Sequence, residues 1–152
     1  MSTRGFEFAY NLDGSTLTPM IKDLTLGVAA AHKVGDLVLM QSDGYVDQVT
    51  TATTEVSAVV MEPLAAAAIT AGTTKCKCAI ITRNQVWRCS MDAATTAFIP
   101  GNTKTVDTVD ANTVSASDSS GGAMTLFDTG GLDEDGNLIA LVVFLDTTWG
   151  NT

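Results

Sequence analysis

Residues 75–91 read KCKCAIITRNQVWRCSM, and the alternation in this stretch decides the fold class. In an extended chain Cys76, Cys78, Ile80, Trp87, Cys89 and Met91 share one face, while Lys77, Ala79, Ile81, Val86, Arg88 and Ser90 share the other. A period of two belongs to β-strands, not helices. With Arg83-Asn84 as a two-residue turn, the stretch reads as a hairpin in which Cys78 faces Cys89 and Ile80 faces Trp87. A slip of one residue would carry the whole apolar set to the opposite side, so the sorting supports this register and assigns the three cysteines to the core.

The same signals recur outward from this hairpin. LVLMQS, Asp43-Gly44 and YVDQVTT form a second hairpin with Asp43-Gly44 as a two-residue turn. Val56 to Met61 is a strand that stops at Glu62-Pro63, and Leu64 to Ala71 is a short helix or a methyl-packed loop closed by Gly72. Met20 to Ala31 carries no helical stripe. Thr105 to Val109 and Thr113 to Ser115 are short extended pieces, and SASDSSGG at 115–122 is a low-complexity surface loop expected to be mobile. A strand over Ala123 to Phe127 turns through DTGGLDEDGN into LIALVVFL, which is apolar on both faces and expected to be central. The expectation is a mostly β chain, with an extended N-terminal arm over 1–18 and one β-rich domain over 19–152.

Within 1–18, Phe6, Phe8 and Tyr10 line one face of an extended segment that ends at Asp13-Gly14. Such a stripe serves either an ordinary edge strand or an arm that adds a strand to a neighbouring subunit. Deleting residues 1–12 would test the arm. Trp149, just past the final strand, is a second interface candidate or a terminal side chain folded back on its own domain.

Composition narrows the function. The 152 residues include 17 acidic and 8 basic side chains, giving a formal charge of -9, with 45% hydrophobic residues and a mean hydropathy of +0.22. That is enough apolar surface for a core, so a wholly disordered chain is excluded. The acidity disfavours nucleic acid and anionic membranes, which recruit clustered Lys and Arg, and points to a protein partner. The longest apolar run, Leu138 to Leu145, has strand length and falls short of the roughly 18 residues of a membrane span. The opening MSTRGFEFAYNLDG lacks a secretory signal's continuous apolar region, so folding in a cytoplasm with reduced thiols is expected. Past Lys104 there are eight carboxylates and no Lys or Arg, whereas Lys75, Lys77, Arg83 and Arg88 crowd one hairpin. Such asymmetry suits contact between copies or a solvated charged face.

Chemical motifs are weak. Asp133-Glu134-Asp135-Gly136-Asn137 resembles part of a calcium loop, but Phe144 stands where the twelfth-position Glu belongs, and a polar turn between strands is the better reading. Cys76, Cys78, Cys89 and His32 are zinc-ligand types without zinc-ligand spacing. A nucleophile would have to rely on His32, the single histidine, and no Gly-x-Ser-x-Gly elbow is present. Gly121-Gly122 and Gly130-Gly131 lack the Lys of a phosphate loop. No catalytic, metal or cofactor-binding residue is therefore assigned, and an enzyme is not expected.

With GVAAAHKVGDLVLMQSDGYVDQVTTATTEVSAVVMEPLAAA in view, the chain resembles the capsid decoration, or cement, proteins of tailed bacteriophages. The resemblance lies in the Lys-x-Gly-Asp hairpin, the Val-Thr-Thr-Ala connection, the SAVVME strand, the Ala-rich link and the final apolar strand, over Gly27 to Leu145. It implies a small β-barrel or β-tulip domain without enzymatic activity. It also implies a homotrimer on the outer face of an expanded head, bound to the major capsid protein and holding the shell against internal DNA pressure. The protein would be made in the host cytoplasm and reside on the capsid exterior. The competing reading is an outward-facing host-receptor-binding or fibre-associated virion module, with the 115–122 loop as its contact.

Overall fold

The computed structural model describes residues 5–49, 55–94, 105–116 and 122–149. Their strands are β1 (Glu7–Asn11), β2 (Ile21–Thr25), β3 (Leu37–Met40), β4 (Val46–Gln48), β5 (Ala58–Val60), β6 (Lys75–Ile80), β7 (Gln85–Ser90), β8 (Thr105–Val106), β9 (Thr108–Asp110), β10 (Thr113–Val114), β11 (Met124–Leu132) and β12 (Leu138–Phe144). One five-stranded sheet runs β1-β7-β12-β11-β8, the other β2-β6-β5-β3-β4, and β9 and β10 form a small ribbon. Every pairing between these strands is antiparallel. The mostly β expectation holds. Both large sheets have ends, so among the described residues no barrel closes.

The β6–β7 stretch departs most from its sequence reading. The two strands do not pair with each other: β6 lies between β2 and β5 in one sheet, β7 between β1 and β12 in the other. The chain crosses between sheets at a corner, where Ile81 is fully buried and its N–H donates to Ser57 O at 3.1 Å. Gln85, buried at the corner, accepts from Thr82 N at 2.8 Å and from Trp87 Nε1 at 3.1 Å, and donates to Ile80 O at 3.3 Å. The proposed cross-strand pairs Cys78–Cys89 and Ile80–Trp87 are therefore corrected. Alternation was read properly, but alternation is blind to which strand lies alongside.

The six residues assigned to one apolar face are all buried, in two different cores. Trp87, Cys89 and Met91 join Phe6, Val142 and Phe144 between the sheets, where Leu37, Val59 and Ala79 of the second sheet meet them. Cys76, Cys78 and Ile80 face the other way, with Leu24, Val38, Val60 and Ile69. The second sheet is thus buried on both faces. This explains why the nominally opposite face also holds buried Ala79 and Ile81.

The β3–β4 hairpin forms as read, with Leu39 opposite Asp47 and Met40 opposite Val46. Its loop is one residue longer than expected. Gln41 N donates to Tyr45 O at 2.8 Å and Gly44 N to Gln41 O at 3.0 Å, leaving Ser42 to Gly44 in the loop with Gly44 at φ +86°. Strand β11 continues to Leu132 through two register irregularities, so the turn into β12 is Asp133 to Asn137 alone. There Asp133 Oδ1 accepts from the N–H groups of Asp135 and Asn137, each at 2.9 Å, as a polar turn does. Strand β12 is central, between β7 and β11, with Ala140, Val142 and Phe144 buried and the alternate residues half-buried. Met20 to Ala31, unassigned from sequence, contributes β2, and the Ala-rich link forms a single 3-10 turn over Ala66–Ala68. Most of the 115–122 loop, residues 117–121, lies outside the described residues.

The N-terminal segment enters beside the Lys-x-Gly-Asp motif. Gly5 and Gly35 cross backbone to backbone, and a Cβ on Gly35, at φ +95°, would sit 2.5 Å from Gly5 Cα. Phe6 N then donates to Gly35 O at 2.8 Å. Strand β1 follows as an end strand of the chain's own first sheet, paired among the described residues with β7 alone.

Candidate functional site

The four residues singled out from sequence separate in space. Phe6 is buried between the sheets, its ring centroid 5.7 Å from that of Phe144. Phe8 is half-buried, edge-on to Trp87 at 5.8 Å. Tyr10 is exposed and edge-on to Phe127 at 6.3 Å. Strands β1 and β11 are three steps of about 4.8 Å apart along a flat sheet, so this contact requires the first sheet to curl. Trp149 folds back against the second core. The aromatic stripe thus serves this chain's own packing at Phe6 and Phe8 and presents only Tyr10 outward.

A surface that carries no sequence signal lies where β1 and β2, each the end strand of its sheet, flank one groove. Between them runs an apolar groove of about 390 Å³, with Phe6, Phe8, Ala79 and Trp87 in its walls and Ile21, Val34 and Met61 at its lip. A second cavity, of about 490 Å³, adjoins it: Thr18 and Pro19 line both. Leu17 and Met20, on the shared ridge and in the second cavity, are 76% and 70% exposed. Those values are too high for side chains that stabilise their own fold. No periodicity marks this ridge, because its residues belong to a connection and two strand ends.

The second cavity has a polar rim held by backbone contacts. Asn11 Nδ2 donates to Ser15 O at 3.1 Å and Leu17 O at 2.6 Å. Asp13 Oδ1 accepts from Ser15 N at 2.9 Å, and Asp13 N donates to Asn84 Oδ1 at 3.2 Å. The Ser15 N–H, then the Ser15 and Asn84 side chains, hold the Asp13 carboxyl below its ordinary pKa. Trp149 closes one side.

Charges near the strand edges are paired across strands. Lys77 meets Asp23 at 3.3 Å and Arg88 meets Glu7 at 2.8 Å, each opposite its partner in the ladder. Two of the four basic residues that crowd residues 75–91 are thereby engaged within the chain. Both pairs are solvent-exposed and add little stability.

The three cysteines are buried and form no disulfide. Cys78 Sγ lies 3.5 Å from Cys76 O, and the neighbouring thiols act on each other: Cys78 lowers the pKa of Cys76, while Cys76, with burial, raises that of Cys78. Cys89 lies in the other sheet, with its Sγ 3.3 Å from Asn112 O. His32 sits in a bridge to Leu64, so the four zinc-ligand types do not converge, and no cluster of three or more such side chains occurs among the described residues.

The geometry defines a small β domain of two five-stranded sheets and a ribbon, with an exposed apolar surface beside β1 and β2. No protein-family model, curated protein or solved structure matches the chain.

Proposed function

We propose that the chain is a structural virion protein, without enzymatic activity, that binds the outer surface of an expanded phage capsid and bridges neighbouring major capsid subunits as a homotrimer. The observation that carries this reading is the apolar surface of Leu17, Met20, Ile21, Val34 and Met61 beside β1 and β2, the end strands of their sheets among the described residues. Contiguous apolar surface of this kind is the ordinary mark of a protein contact. End strands add backbone groups for a partner. A domain this small holds a shell firmly when several copies engage at once, because the second and third contacts are intramolecular.

The test is light scattering of the purified protein followed by sedimentation with expanded and unexpanded capsids of the parent virus. Trimers that pellet with expanded shells alone are expected. Ile21→Lys and Val34→Lys alter half-exposed positions outside the core, so both variants should fold and fail to pellet. Deleting residues 1–12 is a poorer test, because it takes Phe6 and Phe8 out of the chain's own packing. A monomer that ignores both shells would overturn the proposal in favour of an outward-facing host-receptor-binding module.

A further inference from the structure

We infer that the cavity beside Trp149 is a binding site for a neutral saccharide; it shares Leu17 and Met20 with the apolar surface described above, and its test does not depend on the capsid reading. The cavity, of about 490 Å³, falls in the range of roughly 300–1,000 Å³ typical of small-ligand pockets. It is assembled from segments distant in sequence: the turn after β1, the start of β2, the β6–β7 corner and the C-terminal Trp149.

Sugar rings combine apolar C–H faces with hydroxyls that both donate and accept. A matching site needs an aromatic or apolar wall and, next to it, a donor and an acceptor in fixed positions. Trp149, Pro19 and Leu17 supply the wall. Asp13 and Asn84 supply the pair. Because Asn84 Oδ1 accepts from Asp13 N, the Asn84 NH2 is turned towards the Asp13 carboxylate, whose pKa it helps to lower, and the second of its two N–H groups is the donor left for a ligand. The Asp13 carboxylate, an acceptor, has one oxygen tied to Ser15 N and is held ionised by its neighbours. A carboxylate beside an amide donor is suited to two adjacent hydroxyls of one ring.

This pair is set before any ligand arrives. The Leu12 N–H donates to Asn84 O at 2.7 Å, locking the first turn to the β6–β7 corner, and the Asn11 side chain ties off the far end of the turn. Little ordering is then left to oppose binding. The lining holds one anionic and one cationic side chain, Asp13 and Lys22, and so no net charge, which favours an uncharged ligand over a phosphate or an acidic sugar.

The test is nuclear magnetic resonance of the intact chain with its two Trp indoles labelled, titrated with glucose, galactose, mannose, N-acetylglucosamine and their disaccharides and, separately, with an apolar tripeptide. Trp87 is buried and bonded to Gln85, so its indole resonance serves as an internal control. A saturable shift of the Trp149 indole, with Trp87 unmoved, is expected for at least one sugar. Asp13→Ala and Asn84→Ala should each weaken that binding about tenfold, the worth of one charge-assisted or well-placed hydrogen bond. The unmoved Trp87 signal would show that each variant folds. The assignment is overturned if no sugar moves Trp149, if both variants bind as well as the parent, or if only an apolar tripeptide produces the shift.

Discussion

Asp36 closes the Lys-x-Gly-Asp motif and is almost fully buried, with a carboxylate that accepts three hydrogen bonds. They come from Lys33 N at 2.9 Å, Gln48 Nε2 at 2.8 Å and Asn112 Nδ2 at 3.0 Å. One side chain thus joins the turn before β3, strand β4 and the β9–β10 ribbon. Asp36→Ala would leave three donors without this acceptor, and at about 1 kcal/mol or more each urea denaturation should show a loss of about 3 kcal/mol with an unchanged m-value. His32 is a second buried polar residue, with no hydrogen-bond partner at Nδ1. Burial lowers its pKa below 6.5, against the opposing pull of Asp36 and Asp47. The folded chain therefore resists protonation that the unfolded chain accepts. The resulting stability is full above pH 6.5 and is lost as pH falls through the lower folded value. His32→Gln should flatten that part of the stability–pH curve, read as the difference from the parent protein. Both roles lay hidden in the sequence. No local pattern marks Asp36 as a buried acceptor or His32 as a buried imidazole, because burial is set by the elements that close over a residue.

At the scale of elements, the β6–β7 corner shows where one-dimensional reading stops. A strand pair and a strand that crosses between sheets produce the same alternation, since each element merely needs one apolar side. What distinguishes them here is Gln85, which satisfies the Thr82 N–H, the Trp87 indole and the Ile80 carbonyl inside the fold. Gln85→Leu would strand those groups in a buried corner, so a loss of about 2–3 kcal/mol is expected from calorimetric melting, larger than any exposed substitution on β7. By contrast β3 and β4 were legible, because the Asp43-Gly44 signal and the strand pattern are local. Only the loop length was misjudged, since a left-handed Gly serves two-residue and three-residue hairpin loops alike.

For the whole molecule, the formal charge of -9 and the apolar edge surface act in opposite senses. Copies repel one another at long range and gain from burying Leu17, Ile21 and Val34 at short range. Raising ionic strength from about 0.01 to 0.15 M shortens the screening length from about 30 to 8 Å. Self-association measured by light scattering should therefore strengthen with salt, whereas an interface built on exposed ion pairs would weaken. Composition, alternation and turn residues were sufficient to determine that this chain is acidic, mostly β and cored by its cysteines and β-branched residues. Those properties depend on each residue and its near neighbours. The sheet to which each strand belongs was decided only in three dimensions. So were the second core, the groove between β1 and β2, and the meeting of Trp149 with Asp13 and Asn84. Each of these depends on segments far apart along the chain, and the pattern of any one segment is the same whichever partner it finds.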